Sequence, residues 1–141
     1  MYETHPVIIH QRISVEAEKR RVLIIDDEPD IREFISYNLS RRGYLVSSAA
    51  DGSSGYEMAR FQKPDLILLD IMMPVMNGYD TCRKFRSDPE FDNTRILFLS
   101  AINEAYAKDL GEQLDADGFI AKPIRIDLLL RRIDYWIKKA V

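Results

Sequence analysis

A chain of 141 residues, 46% apolar and 30% charged, suits one soluble domain. Its net charge of -3 gives no basic face for a duplex, and a lone cysteine, Cys82, excludes an intramolecular disulfide and a cysteine-based zinc site. No apolar run approaches the ~18 residues of a membrane span, and MYETHPVIIHQR lacks the basic start and apolar stretch of a signal peptide, so a reducing cytoplasm is the expected setting.

Residues 1–20 stand outside the pattern that follows. PVIIHQRISV could add a strand or pack on a partner, VEAEKR could lead into a helix, and a solvated arm is the plain alternative. The domain proper is expected over 21–141.

Val22–Ile25 (VLII) is the first expected strand. Pro29 then sits where the first turn of a helix tolerates proline. Ile31, Phe34, Ile35 and Leu39 recur at helical spacing until Gly43 stops the run. Tyr44–Ser48 is a weaker strand, placed at a sheet edge, and Ser53–Gln62 a short helix. Leu66–Leu69 (LILL) is the third strand, followed by a helix over Gly78–Arg86. Ile96–Leu99 (ILFL) is the fourth strand. Ile102, Tyr106, Leu110 and Leu114 then fall four apart on one helical face, which Gly111 should weaken. Phe119–Ala121 is a short fifth strand. Ile126–Lys139 closes the chain as a helix with Leu129, Leu130, Ile133 and Ile137 on its inner face. Three strands are continuous apolar runs, the mark of parallel strands covered on both faces. Five β-α alternations imply a parallel sheet with right-handed crossovers and helices on both sides.

Open parallel sheets bind ligands beyond the carboxyl ends of their strands. There the sequence sets Asp26-Asp27 after the first strand, Asp70 after the third, Ser100 after the fourth and Lys122-Pro123 after the fifth. Singly, each has a plain explanation. Asp27 could cap the next helix, Asp70 could open a turn before Pro74, Ser100 could cap the fourth helix, and Lys122-Pro123 could be an exposed loop pair. Jointly they are three carboxylates, a hydroxyl and an amine at four strand ends. Converging carboxylates raise one another's pKa or recruit a cation. With oxygen ligands and neither Cys nor His, that cation is Mg2+ or Mn2+. A carboxylate beside it can attack phosphorus to form an acyl phosphate. Strands lie ~4.8 Å apart, so the fifth is roughly 10 Å from the third, a gap that lysine is long enough to cover.

The stretches VLIIDDEPDIRE, PDLILLDIMMPVMNGYD, ILFLSA and GFIAKPI, in this order and at this spacing, resemble the receiver domain of two-component response regulators over roughly Arg21 to Lys139. The resemblance implies a flavodoxin-like (βα)5 doubly wound parallel sheet with strand order 2-1-3-4-5. It implies Asp70 as phosphoacceptor, Asp27 as direct metal ligand, Asp26 as a ligand acting mainly through water, and the Met72 carbonyl as the third protein ligand of Mg2+. Ser100 takes the position that hydrogen-bonds the phosphoryl group, Lys122 the position that pairs with it, and Phe119 the aromatic switch position. Pro74 and Gly78 match the loop that shapes the site, and the Lys122–Pro123 bond is expected to be cis. Asp115 stands where the family usually has glycine.

The implied function is a phosphoacceptor, not an enzyme acting on a separate substrate. Its donor would be a sensor histidine kinase or a histidine phosphotransfer protein, and its output a helix four–strand five–helix five surface acting on an unknown target. Direct nucleic-acid binding and membrane contact are not expected, and a homodimer is compatible. The alternatives are a degenerate receiver-like module that works without phosphorylation, and a receiver excised from a longer regulator or hybrid kinase. Two other classes lack their residues. An aspartyl-nucleophile phosphatase commonly needs a second acid where Met72 stands, and a nucleotide fold needs GxGxxG or GxxxxGK[ST].

Overall fold

A computed structural model describes residues 19–73, 77–101 and 103–139. Expectations for residues 1–18, Pro74 and Ile102 fall outside these.

Among the described residues, five strands alternate with five α-helices. They are β1 (Arg21–Ile25), α1 (Pro29–Arg41), β2 (Leu45–Ala49), α2 (Gly52–Gln62), β3 (Leu66–Asp70), α3 (Gly78–Arg86), β4 (Arg95–Ser100), α4 (Glu104–Leu114), β5 (Gly118–Ala121) and α5 (Ile126–Lys139). A single 3-10 turn, Pro89–Phe91, precedes β4. All strands pair in parallel, in the order β2-β1-β3-β4-β5. This is the flavodoxin-like fold expected from the sequence, with β2 at an edge.

Successive residues of a strand point to opposite faces, and here both faces are covered. Leu23, Ile25, Ile67, Leu69, Ile96 and Phe98 pack under α2, α3 and α4 with Ala59, Cys82, Phe85 and Leu114. Val22, Ile24, Leu66, Leu68, Leu97, Leu99 and Ile120 pack under α1 and α5 with Ile35, Leu39, Leu129, Ile133 and Ile137. That is why the central strands read as unbroken apolar runs.

Local chemistry places the helix ends. Pro29 opens α1, and Gly43 closes it with φ +99, a backbone that only glycine adopts without strain. Asp51 and Asn77 cap α2 and α3 by accepting the backbone N–H of Ser54 and Asp80. Gly111 does not interrupt α4, although glycine is a poor helix former.

Two expected inward faces are less complete than their spacing suggests. Phe34 is 42% exposed, because α1 buries Ile35 and Leu39 against the sheet and turns Phe34 to its rim. Tyr106 is 52% exposed in the first turn of α4, where a phenol can keep its hydroxyl in water.

Candidate functional site

The chain runs from β1 straight into Asp26 and Asp27, β3 ends on Asp70, β4 ends on Ser100, and Lys122 follows β5. Parallel register sets Asp70 beside Leu99 and Ser100 beside Ala121, so these residues share one edge of the sheet.

The capping roles that the sequence left open to them belong to others. Glu28 is the N-cap residue of α1, and Asn103 caps α4 by accepting the Tyr106 N–H at 2.9 Å. Asp27 and Ser100 are therefore not helix caps. Two carboxylates do make local turns: Asp26 Oδ1 accepts the Glu28 N–H at 2.8 Å, and Asp70 Oδ1 accepts the Met72 N–H at 3.1 Å. Their other oxygens face Lys122.

Lys122 is no exposed loop residue. Its Nζ lies 3.0 Å from Asp26 Oδ2, 3.3 Å from Glu28 Oε1 and 3.4 Å from Asp70 Oδ2. The ammonium thus reaches over β4 to Asp70 on β3 and on to the acid after β1. Asp26 and Asp70 are buried, and Asp27 is exposed. Ser100 is buried at the same edge.

Burial pushes the Asp70 carboxyl up to about 6, and the negative charge of Asp26 adds to the rise. Lys122 and the Met72 N–H oppose it without cancelling it. Burial alone would lower the Lys122 ammonium. Its contact with Asp26 and the charges of Asp70 and Asp26 outweigh that effect and hold it above the usual lysine value.

Carboxylate oxygens of Asp26, Asp27, Glu28 and Asp70 lie within 4.8 Å of one another. Asp26 Oδ2 is buried with no hydrogen-bond donor aligned to it, and the ammonium beside it acts as an ion pair. An all-oxygen cluster holding such an atom fits a hard divalent cation and not zinc. Glu28 was not among the residues singled out from sequence. The available signal is that Pro29 fills the first helical position, which leaves Glu28 at an N-cap that glutamate seldom serves.

The surroundings agree with the motif. Met72 is 65% exposed at the pocket rim. The Gly78 N–H donates to the Ile71 carbonyl at 2.9 Å, which holds the start of α3 against the end of β3. Phe119 pairs in register with Phe98 and is half-buried against the core beneath α2–α4. The Lys122–Pro123 peptide is cis. Asp115, at the family's usual glycine position, has φ +59 at the C-cap of α4, a conformation that aspartate tolerates better than most side chains.

A doubly wound parallel sheet with clustered acids, a buried hydroxyl and a lysine at its carboxyl edge defines a CheY-like signalling domain. The chain belongs to the response regulator receiver domain family, whose model matches residues 22–134. It is 37% identical over 113 residues to the DNA-binding dual master transcriptional regulator RpaA of Synechocystis, a match covering 80% of this chain and 47% of that protein. It spans about half the length of the curated relatives it matches. The chemotaxis protein CheY4 of Vibrio cholerae superposes with a TM-score of 0.79 at 32% identity, covering 83% of this chain and 98% of that one. The receiver domain of sensor histidine kinase PA1611 of Pseudomonas aeruginosa, described with a magnesium ion in its active-site cleft, gives 0.77 at 28% identity, covering 85% and 98%.

Proposed function

We propose that this receiver takes a phosphoryl group on Asp70 from a phosphohistidine donor, a sensor histidine kinase or a histidine phosphotransfer protein, and signals through its α4–β5–α5 surface. The observation that carries the reading is Lys122, held by Asp26 and Asp70 together, 3.4 Å from the acceptor oxygen. An Asp70 carboxylate oxygen attacks phosphorus while the bond to the donor breaks, and the donor leaves with the electron pair. Lys122, 3.4 Å from the Asp70 carboxylate, and Ser100, buried at the same edge of the sheet, would hold the transferred oxygens. Mg2+ (or Mn2+), held by Asp26, Asp27, Asp70 and the Met72 carbonyl, would neutralise charge on the acceptor and the phosphoryl oxygens. The domain is its own catalyst for phosphotransfer and autodephosphorylation, and not an enzyme with a separate substrate.

A groove of about 510 Å³ opens beside the pocket, lined by Ile31, Phe34, Pro123 and Ile124 together with Glu28 and Lys122. It offers a histidine-bearing protein an apolar seat next to the acceptor. When Ser100 closes on the phosphoryl group, it vacates space that Phe119 can enter, a two-state packing change biased by the new charge. The degenerate-receiver alternative is disfavoured because acids, hydroxyl, lysine and acceptor all stand in place. The target remains a protein partner or an attached domain, and a homodimer is compatible. A cytoplasmic setting belongs to the same proposal, and no described helix is long and apolar enough to cross a membrane. Absence of direct nucleic-acid contact is proposed for these 141 residues from their net charge of -3; the match to the relative named as DNA-binding covers only 47% of that protein.

Incubation with acetyl phosphate and Mg2+ should add ~80 Da to the intact mass, one phosphoryl group on one carboxylate. Asp70→Ala should take no label. Persistent labelling of that variant would sink the assignment.

A further inference from the structure

We infer that Glu28 is a positioning residue of the phosphorylation site: it shares the Lys122 ammonium with Asp26 and Asp70, and must give it up when Asp70 carries a phosphoryl group. This rests on the phosphoacceptor reading above.

Glu28 occupies the N-cap position of α1, yet its side chain makes no capping hydrogen bond. Instead its Oε1 lies 3.3 Å from Lys122 Nζ, across a sequence separation of 94 residues. Its backbone serves the same pocket, because its N–H donates to Asp26 Oδ1 at 2.8 Å. Side chain and main chain of one residue thus fix both the lysine and the buried acid.

The three acceptors of Lys122 differ in exposure. Asp26 and Asp70 are buried, whereas the Glu28 side chain is 59% exposed. Water can replace the ammonium at Glu28 far more cheaply than at the two buried carboxylates. Glu28 is therefore the contact that yields. A phosphoryl group on Asp70 adds negative charge beyond the carboxylate and draws the ammonium outward along Asp70. Glu28 then loses its partner and stands as a bare negative charge near the phosphoryl oxygens. Both effects favour the unphosphorylated state, and both vanish when Glu28 is made neutral without a change of shape.

The test compares wild type, Glu28→Gln and Asp70→Ala. Labelling by acetyl phosphate is followed at Mg2+ concentrations that saturate each variant. In parallel, the Lys122 Nζ resonance is recorded before and after addition of beryllofluoride. Because the Glu28 side chain caps nothing, Glu28→Gln should unfold at the wild-type midpoint. It should label with a maximal rate roughly 2–5-fold above wild type, the range expected for a charge pair this exposed. Its Lys122 resonance, before any addition, should be displaced toward the position seen in beryllofluoride-treated wild type. A maximal rate equal to or below wild type would overturn the inference, and so would a Lys122 resonance coincident with that of untreated wild type. If wild type takes no label that depends on Asp70, the phosphoacceptor reading fails and this inference with it. If wild type labels on Asp70 and Glu28→Gln matches it, only the role of Glu28 is lost.

Discussion

Gly78 sits so close to the end of β3 that a Cβ at that position would lie 2.3 Å from the backbone carbonyl oxygen of Asp70 and 2.6 Å from the Ile71 Cα. Both contacts are backbone and cannot swing aside. The helix α3 therefore starts against the residue that closes β3, and only glycine permits the approach. Gly78→Ala should destabilise the domain by on the order of 2–3 kcal/mol, the upper part of the usual range for point substitutions. Urea unfolding measures it. A loss below about 0.5 kcal/mol would mean that α3 shifts freely, since changes of that size are ordinary for surface positions.

Asp70 is a buried carboxyl whose proton affinity is raised by burial and by Asp26. Its folded-state pKa of about 6 lies above the unfolded value of 3.8. A group shifted upward in this way destabilises the fold when ionised. The penalty is complete above about 6 and disappears as pH falls through the window from 6 to 3.8. In EDTA at pH 7.5, Asp70→Asn should accordingly be more stable than wild type by on the order of 1–3 kcal/mol. The advantage should shrink steadily as the pH is lowered toward 4. Thermal unfolding of both proteins across that range provides the check, and an advantage that grows on acidification would contradict it.

Lys63 ends α2 with φ 52, a left-handed backbone on an exposed residue. For a side chain with a Cβ this conformation costs roughly 1–2 kcal/mol. Glycine removes that cost but adds freedom to the unfolded chain, which returns part of the gain. Lys63→Gly should therefore stabilise by about 0.5–1 kcal/mol, the balance of the two effects. Denaturant unfolding at neutral pH would reveal it.

Cys82 is completely buried on the inner face of α3, with its thiol donating to the Leu114 carbonyl at 3.5 Å. Burial pushes that thiol up to about 11. Since the thiolate is the nucleophile, alkylation by iodoacetamide at pH 8 should be negligible in the folded protein and fast in urea. Mass spectrometry of the two samples distinguishes them. Rapid labelling of the native form would show that α3 opens on the timescale of the reaction.

The residues at the strand ends were legible in the sequence because covering both faces of a parallel sheet forces its strands to be continuously apolar. A polar residue after VLII, LILL or ILFL consequently marks where the sheet ends and solvent begins. Proline at the first turn of α1 and glycine past its end, with their fixed backbone preferences, were equally local signals. The element order followed from these, and with it the parallel topology.

Tertiary structure decided what no local pattern carries. Asp27 and Ser100 were as consistent with helix caps as with a site until Glu28 and Asn103 took the N-cap positions. Phe34 fits the helical repeat of α1, yet it lies on the rim because Ile35 and Leu39 take the face that packs on the sheet. Glu28 had only the weak signal of an unsuited residue at an N-cap, and nothing local pointed to its partner Lys122, 94 residues away. Contacts across such separations depend on how strands and loops are set side by side. The raised proton affinity of Asp70 likewise exists only where burial and the charge of Asp26 meet around it. The sequence by itself determined which residues reach the edge of the sheet, because hydrophobic burial is written locally. Only the folded chain determined which of them share a charge, because electrostatic coupling depends on distance and burial and not on order along the chain.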